Sequence, residues 1–179
     1  MDFENLSDKD KERAQKLMSE VHESLLDKFN NVFKIGNTIE NKLKDFQTKL
    51  ITHLKTKCSD EYKAIETLAN ITKDDQGRFD LKVAEDKKSE FEEKSKQWES
   101  CAHKNDFGAQ DFFVKMGDLN YKIENESSDC IYKCISTLKN QSDNDAKSCL
   151  TNCLTNFYDK SYKNMVEING NLDDFNKKL

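Results

Sequence analysis

Cys130-Ile131-Tyr132-Lys133-Cys134 and, after fourteen intervening residues, Cys149-Leu150-Thr151-Asn152-Cys153 are two copies of one spacing. Cysteines at i and i+4 stack on one face of a helix with Cβ atoms about 5–6 Å apart, too far for a bond within the pair. Folding two such helices back antiparallel places residues of constant index sum opposite one another. The pairs 130 with 153 and 134 with 149 have the same sum, so one hairpin register closes both bridges about a hinge near Gln141 and Ser142. Each closure removes roughly 3 kcal/mol of unfolded-state entropy in the simple loop picture. The competing chemistry for four cysteines on facing helices is a structural zinc site. Such sites favour Cys-x2-Cys knuckles, whose tight turn aims both sulfurs at one ion, and the x3 spacing speaks for disulfides instead.

Working outward, apolar residues Phe112, Met116, Leu119 and Ile123 lead into Cys130 and Cys134 on one helical face. The polar cluster Asn140-Gln-Ser-Asp-Asn-Asp145 supplies turn and N-cap residues. A final helix from about Asp145 carries Cys149, Cys153 and Phe157 at intervals of four.

Upstream, Leu17, Val21, Leu25, Phe29, Val32 and Phe33 form one amphipathic stripe with a cap signal at Ser7 and Asp10. Gly36 and Asn37 are expected to end or bend this helix. A second stripe follows through Ile39, Leu43, Phe46, Leu50, Leu54, Cys58, Tyr62, Ile65 and Leu68, which turns Cys58 inward. The polar, Gly77-containing segment 73–78 reads as a turn, and a third helix carries Ala84, Phe91 and Trp98 as a narrow seam beside Cys101. Cys58 and Cys101 lie about equally far from that turn, so a third disulfide between them is an option beside two isolated buried thiols. His103, next to Cys101, has no second Cys/His pair near it and reads as a surface histidine.

The whole is an all-α chain: a helical extension over residues 1–105, of about three amphipathic helices, and a stapled antiparallel hairpin with long arms over 106–179. Composition agrees. There is no proline, 35% of residues are charged and mean hydropathy is −0.92, as exposed helices require. Acidic and basic residues are interleaved at a net charge of −5, leaving no basic stripe for nucleic acid. No apolar run approaches the roughly 20 residues of a membrane span. His22, His53 and His103 lie far apart, and no phosphate loop, metal motif or nucleophile elbow is present, so the expectation is a non-enzyme without cofactor.

Six cysteines without an apolar leader conflict with the rule that disulfides belong to secreted chains. The twin motif, with the following Leu154-Thr-Asn-Phe157-Tyr-Asp-Lys-Ser-Tyr162, resembles the small Tim family of mitochondrial intermembrane-space chaperones over residues 110–179. The resemblance implies a disulfide-locked hairpin that assembles into hetero-oligomeric, hexameric rings and shields hydrophobic membrane-protein precursors in transit. It also implies residence in the intermembrane space, peripheral to the inner membrane, where oxidation of the cysteines traps a chain lacking a cleavable presequence. Candidate client or subunit contacts are Phe112, Met116, Leu119 and Ile123 before the motif and Phe157, Met165 and Ile168 after it. The long extension suits a second role, a permanently docked accessory subunit of a large, respiratory-type inner-membrane complex.

Overall fold

The computed structural model describes residues 7–73 and 79–179. The fold is all-α: α1 (Asp8–Ser24), α2 (Leu26–Lys57), α3 (Ser59–Leu68), α4 (Lys88–Asn105), α5 (Ala109–Ser136) and α6 (Asp143–Lys178). Two five-residue strands, β1 (Ala69–Lys73) and β2 (Phe79–Val83), pair antiparallel between α3 and α4 with Ile71 opposite Leu81.

Local chemistry accounts for most helix ends. Ser7 Oγ accepts from the Asp10 amide at 3.2 Å, and Ser142 Oγ from the Asp145 amide at 3.2 Å, each satisfying an orphan donor of a first turn. Between α4 and α5, Phe107 and Gly108 take φ of 60° and 77°, reversing the chain in two residues. Buried Asp106 holds that corner by accepting from the Gly108 and Gln110 amides at 2.8 and 3.2 Å.

Two expectations are corrected. The first long helix does not break at Gly36 and Asn37; it breaks at Leu25, and α2 then runs unbroken to Lys57. A helical glycine costs only about 1 kcal/mol, which tertiary packing outweighs. Here Gly36 lies against α6, where an added Cβ would stand 3.9 Å from Met165 Sδ. Ala84 does not belong to the third helix: it is extended and precedes a short 3-10 turn at Glu85–Lys87. The strands were not foreseen at all, and the expected turn at 73–78 lies, beyond Lys73, outside the described residues.

By its contacts the described chain groups into two compact units. One compact unit joins the described residues up to Lys42 with Val114–Leu172; the other joins Leu43–Phe113 with Asp173–Leu179. The first unit is built on a core of Ala14, Leu17 and Val21 from α1 with Ile131, Ile135, Leu138, Leu150 and Leu154 of the hairpin. The physical cause is plain: a stapled pair of helices has one apolar face uncovered, and the α1 stripe is the matching face within the same chain.

Polar contacts fix that docking. Arg13 Nε donates to Asp143 Oδ1 at 2.7 Å, while its two terminal nitrogens donate to the carbonyls of Leu138 and Gln141, each at 2.8 Å. One guanidinium thus adds donors to two carbonyls of the turn that joins the hairpin helices, Leu138 O also accepting from the Gln141 amide at 3.3 Å. Arg13→Ala is expected to cost about 2 kcal/mol, because two backbone acceptors and a carboxylate lose a donor together. Thermal unfolding should show it as a Tm lower by about 6 °C. Arg13→Lys should recover less than half, since a point charge cannot make the fork.

In the second unit the buried residues are few: Phe46, Leu54, Cys58, Asp106, Ala109 and Phe175 among those described. Phe46 sits between the rings of Phe113 and Phe175, with centroids 6.0 and 5.8 Å away. Neither α3 nor α4 buries a single residue.

Candidate functional site: the twin disulfides and the face they present

The cysteine positions meet as the constant-sum register requires. Cys130–Cys153 and Cys134–Cys149 are disulfides with Cα separations of 5.7 and 5.8 Å. The third bridge, Cys58–Cys101, forms as well, at 6.0 Å. Each cysteine reaches its partner because the helices carrying it run antiparallel about a short turn, through Leu138–Asn140 in one case and through the β-hairpin in the other. All six sulfurs are therefore bridged, and the four of the twin motif have no thiolate to offer zinc.

Each bridge of the motif joins one buried to one half-buried cysteine, so burial follows a diagonal of the four-sulfur layer. Cys134 and Cys153 are buried at 1% and 3% exposure, whereas Cys130 and Cys149 are half-buried. Their neighbours Leu138, Ala146 and Leu150 are fully enclosed, so the sulfurs continue the apolar core.

The proposed contact residues separate into two groups. Met116 and Ile123 are buried at 2% and 4% exposure within the first unit. Phe112, Phe157, Met165 and Ile168 are half-buried, and Leu119 is exposed at 37%. Phe112 belongs to the second unit, where its ring packs against Phe113 and Phe175 at 5.4 and 5.7 Å.

Apolar surface does remain on the first unit, in places the sequence reading did not single out. Leu26, Phe29 and Phe33 recur at i, i+3 and i+7 along α2 at 48%, 37% and 58% exposure. Phe29 stacks on Phe33 at 6.2 Å and meets Tyr158 edge-on at 6.3 Å. Phe29 and Phe33 belong to the stripe legible in the sequence, but nothing in it marks which members stay exposed while Val32 packs on the core. Tyr158 is buried, its hydroxyl sharing a hydrogen bond with His22 Nδ1 at 3.2 Å, and desolvation pushes its pKa up.

Charge surrounds these surfaces without concentrating on them. Lys28 pairs with Asp159, and Lys147 with Glu20. A shallow groove of about 330 Å³ between α5 and α6 has Leu119 and Ile123 among its lining residues. It is bridged by Lys160 and Glu126 at 2.7 Å, and the hydrogen bond from Lys160 holds the Glu126 carboxyl below its usual range. Of the histidines, His103 is on the surface, 3.9 Å from Asp111, and His53 packs beside Phe107 at 5.1 Å in the second unit. Among the described residues, no helix is long and apolar enough to cross a membrane. No family model matches the chain, nor does any curated protein or solved structure, so the likeness to the small Tim proteins rests on the cysteine pattern itself.

Proposed function

We propose that the chain is a non-enzymatic, disulfide-locked helical subunit that docks permanently into a larger inner-membrane-associated assembly of the mitochondrial intermembrane space, using its small-Tim-like hairpin as a scaffold. The observation that carries this reading is the cover supplied by α1. Ala14, Leu17 and Val21 share one core with Ile131, Ile135, Leu150 and Leu154 of the hairpin, and Met116 and Ile123 are themselves buried within the same unit. A chaperone needs that face open to clients; a scaffold needs it closed. The bridges support an oxidising compartment, and the small-Tim-like spacing supports the intermembrane space among such compartments.

The exposed Leu26, Phe29 and Phe33 give the docked subunit an apolar strip for a neighbouring subunit. They also favour the second reading, a ring-forming chaperone that shields hydrophobic precursor segments along α2 rather than along the hairpin arms.

Purification of the tagged protein from mitochondria in mild detergent, followed by subunit mass spectrometry, separates the two. The scaffold reading expects stoichiometric recovery with one large complex through a high-salt wash, and loss of that recovery in Phe29→Asp/Phe33→Asp. Recovery as a free ring that exchanges clients would sink it.

A further inference from the structure

Cys134 Sγ and Cys153 Sγ belong to different bridges, yet they lie 3.6 Å apart. Neither carries a proton, so the approach is a van der Waals contact between two disulfides. The sulfurs of Cys134, Cys149 and Cys153 all lie within 4.8 Å of one another; Cys130 stands outside that set. The hairpin therefore brings one diagonal of its four-sulfur layer together and leaves the other diagonal apart. Burial follows the same diagonal, with 134 and 153 enclosed and 130 and 149 half-buried.

We propose that the twin bridges are an exchange-coupled pair, in which Cys134 and Cys153 carry an internal thiol–disulfide exchange while Cys130 and Cys149 are the sulfurs that meet external thiols. Exchange requires a thiolate to attack a disulfide sulfur, and both access and proximity set its rate. An external dithiol enters at a half-buried sulfur, Cys149 or, by the mirror sequence, Cys130. In the first case its thiolate bonds to Cys149 Sγ, the Cys134–Cys149 bond breaks, and the electron pair leaves on Cys134 as thiolate. Cys134 then attacks Cys153 Sγ at its side; the Cys130–Cys153 bond breaks and Cys130 leaves as thiolate toward the surface. The second thiol of the reductant closes on its own mixed disulfide and frees Cys149.

The balance is one dithiol oxidised to a cyclic disulfide, and two protein bridges converted to one bridge, Cys134–Cys153, plus two thiols at Cys130 and Cys149. Read in reverse, an external disulfide oxidant that reaches only the half-buried sulfurs completes both bridges, because the buried pair is handed its partners by exchange. The enclosed sulfurs need never meet a second protein. The same contact explains how a hairpin with four chemically similar cysteines escapes mispairing: the 134–153 bond is short-range, reversible and connected by one step to the native register.

Two measurements test this. In the full-length chain with Cys58–Cys101 intact, Cys130→Ser/Cys149→Ser retains the close diagonal and Cys134→Ser/Cys153→Ser retains the distant one. Equilibrated against glutathione, the first should form its bridge with an equilibrium constant at least tenfold above the second; equal values, or the reverse order, overturn the proposal. Serine in the core could unfold either variant, so the unmodified protein supplies the second measurement. It is treated with one equivalent of dithiothreitol, quenched by rapid alkylation, and mapped without reduction. Cys134–Cys153 peptides, with Cys130 and Cys149 alkylated, should make up a tenth or more of the species retaining one twin-motif bridge. A population holding only Cys130–Cys153 or only Cys134–Cys149 overturns it.

Discussion

Replacing Cys58 and Cys101 together by serine is expected to unfold α3, the β-hairpin and α4 locally, while the core of the first unit keeps its hydrogen-exchange protection. The two cysteines are 43 residues apart, and closing a loop of that length stabilises by about 4 kcal/mol in the chain-entropy picture. Little else in this segment can match it. Neither helix buries a residue, and the main side-chain contact across them is Tyr62 with Trp98, centroids 5.5 Å apart. An aromatic pair adds about 0.5–1.5 kcal/mol beyond its area. Tyr62 lies one turn beyond Cys58 and Trp98 one turn before Cys101, so the rings meet in the register that the bridge imposes and lose it when the bridge goes. Local opening that becomes easier by about 4 kcal/mol should lower amide protection in 59–73 and 79–105 by up to about a thousandfold. Amides of 8–24 and 128–158 should stay within fivefold of the unsubstituted protein, because their own two bridges and core are untouched. Protection in α3 and α4 that survives the double substitution would show that their packing suffices alone.

How much of this could be read beforehand depends on how local the signal is. The hairpin register was legible because two i,i+4 pairs overdetermine it: a single antiparallel fold satisfies both, and no tertiary knowledge is needed. The N-cap at Ser7 and the polar turn after Asn140 were legible for the same reason. The strands were missed although the signal is present. Phe79, Leu81 and Val83 alternate with Asp80 and Lys82, a period of two that was passed over in favour of a turn and a helix. The break at Leu25 left no mark in composition, whereas Gly36 left a strong mark and does not break anything. Propensity prices a glycine at about 1 kcal/mol, and the packing that outweighs it comes from α6, more than a hundred residues away. An apolar stripe announces that it will be covered but not by what: Met116 and Ile123 are buried within the unit that also holds the N-terminal helix α1, and no local signal in the sequence says so.

That cover is where the second large effect should appear. Leu17 is 2% exposed at the centre of the α1 stripe, inside the core shared with Ile131, Ile135 and Leu154. Leu17→Asp places a carboxylate among these apolar side chains, and burying a charge there costs several kcal/mol. The remaining ties of α1 are mostly surface ones. Glu20 with Lys147 is a solvent-exposed pair that contributes little, and the His22–Tyr158 hydrogen bond adds about 1 kcal/mol. Arg13 holds one end only. The cheaper outcome for the variant is release of α1 from a hairpin that its two disulfides keep folded. Leu17→Ala, by contrast, leaves a cavity costing roughly 3 kcal/mol and should keep the helix docked in most molecules. The released state should bind a hydrophobic dye strongly, lose protection throughout 8–24, and hold apolar peptides in solution that the unsubstituted protein lets aggregate. Gain of holding activity on removing the cover is what distinguishes a closed scaffold from an open chaperone. Equal holding by both forms would mean that the face under α1 is irrelevant to clients and would return the argument to Leu26, Phe29 and Phe33.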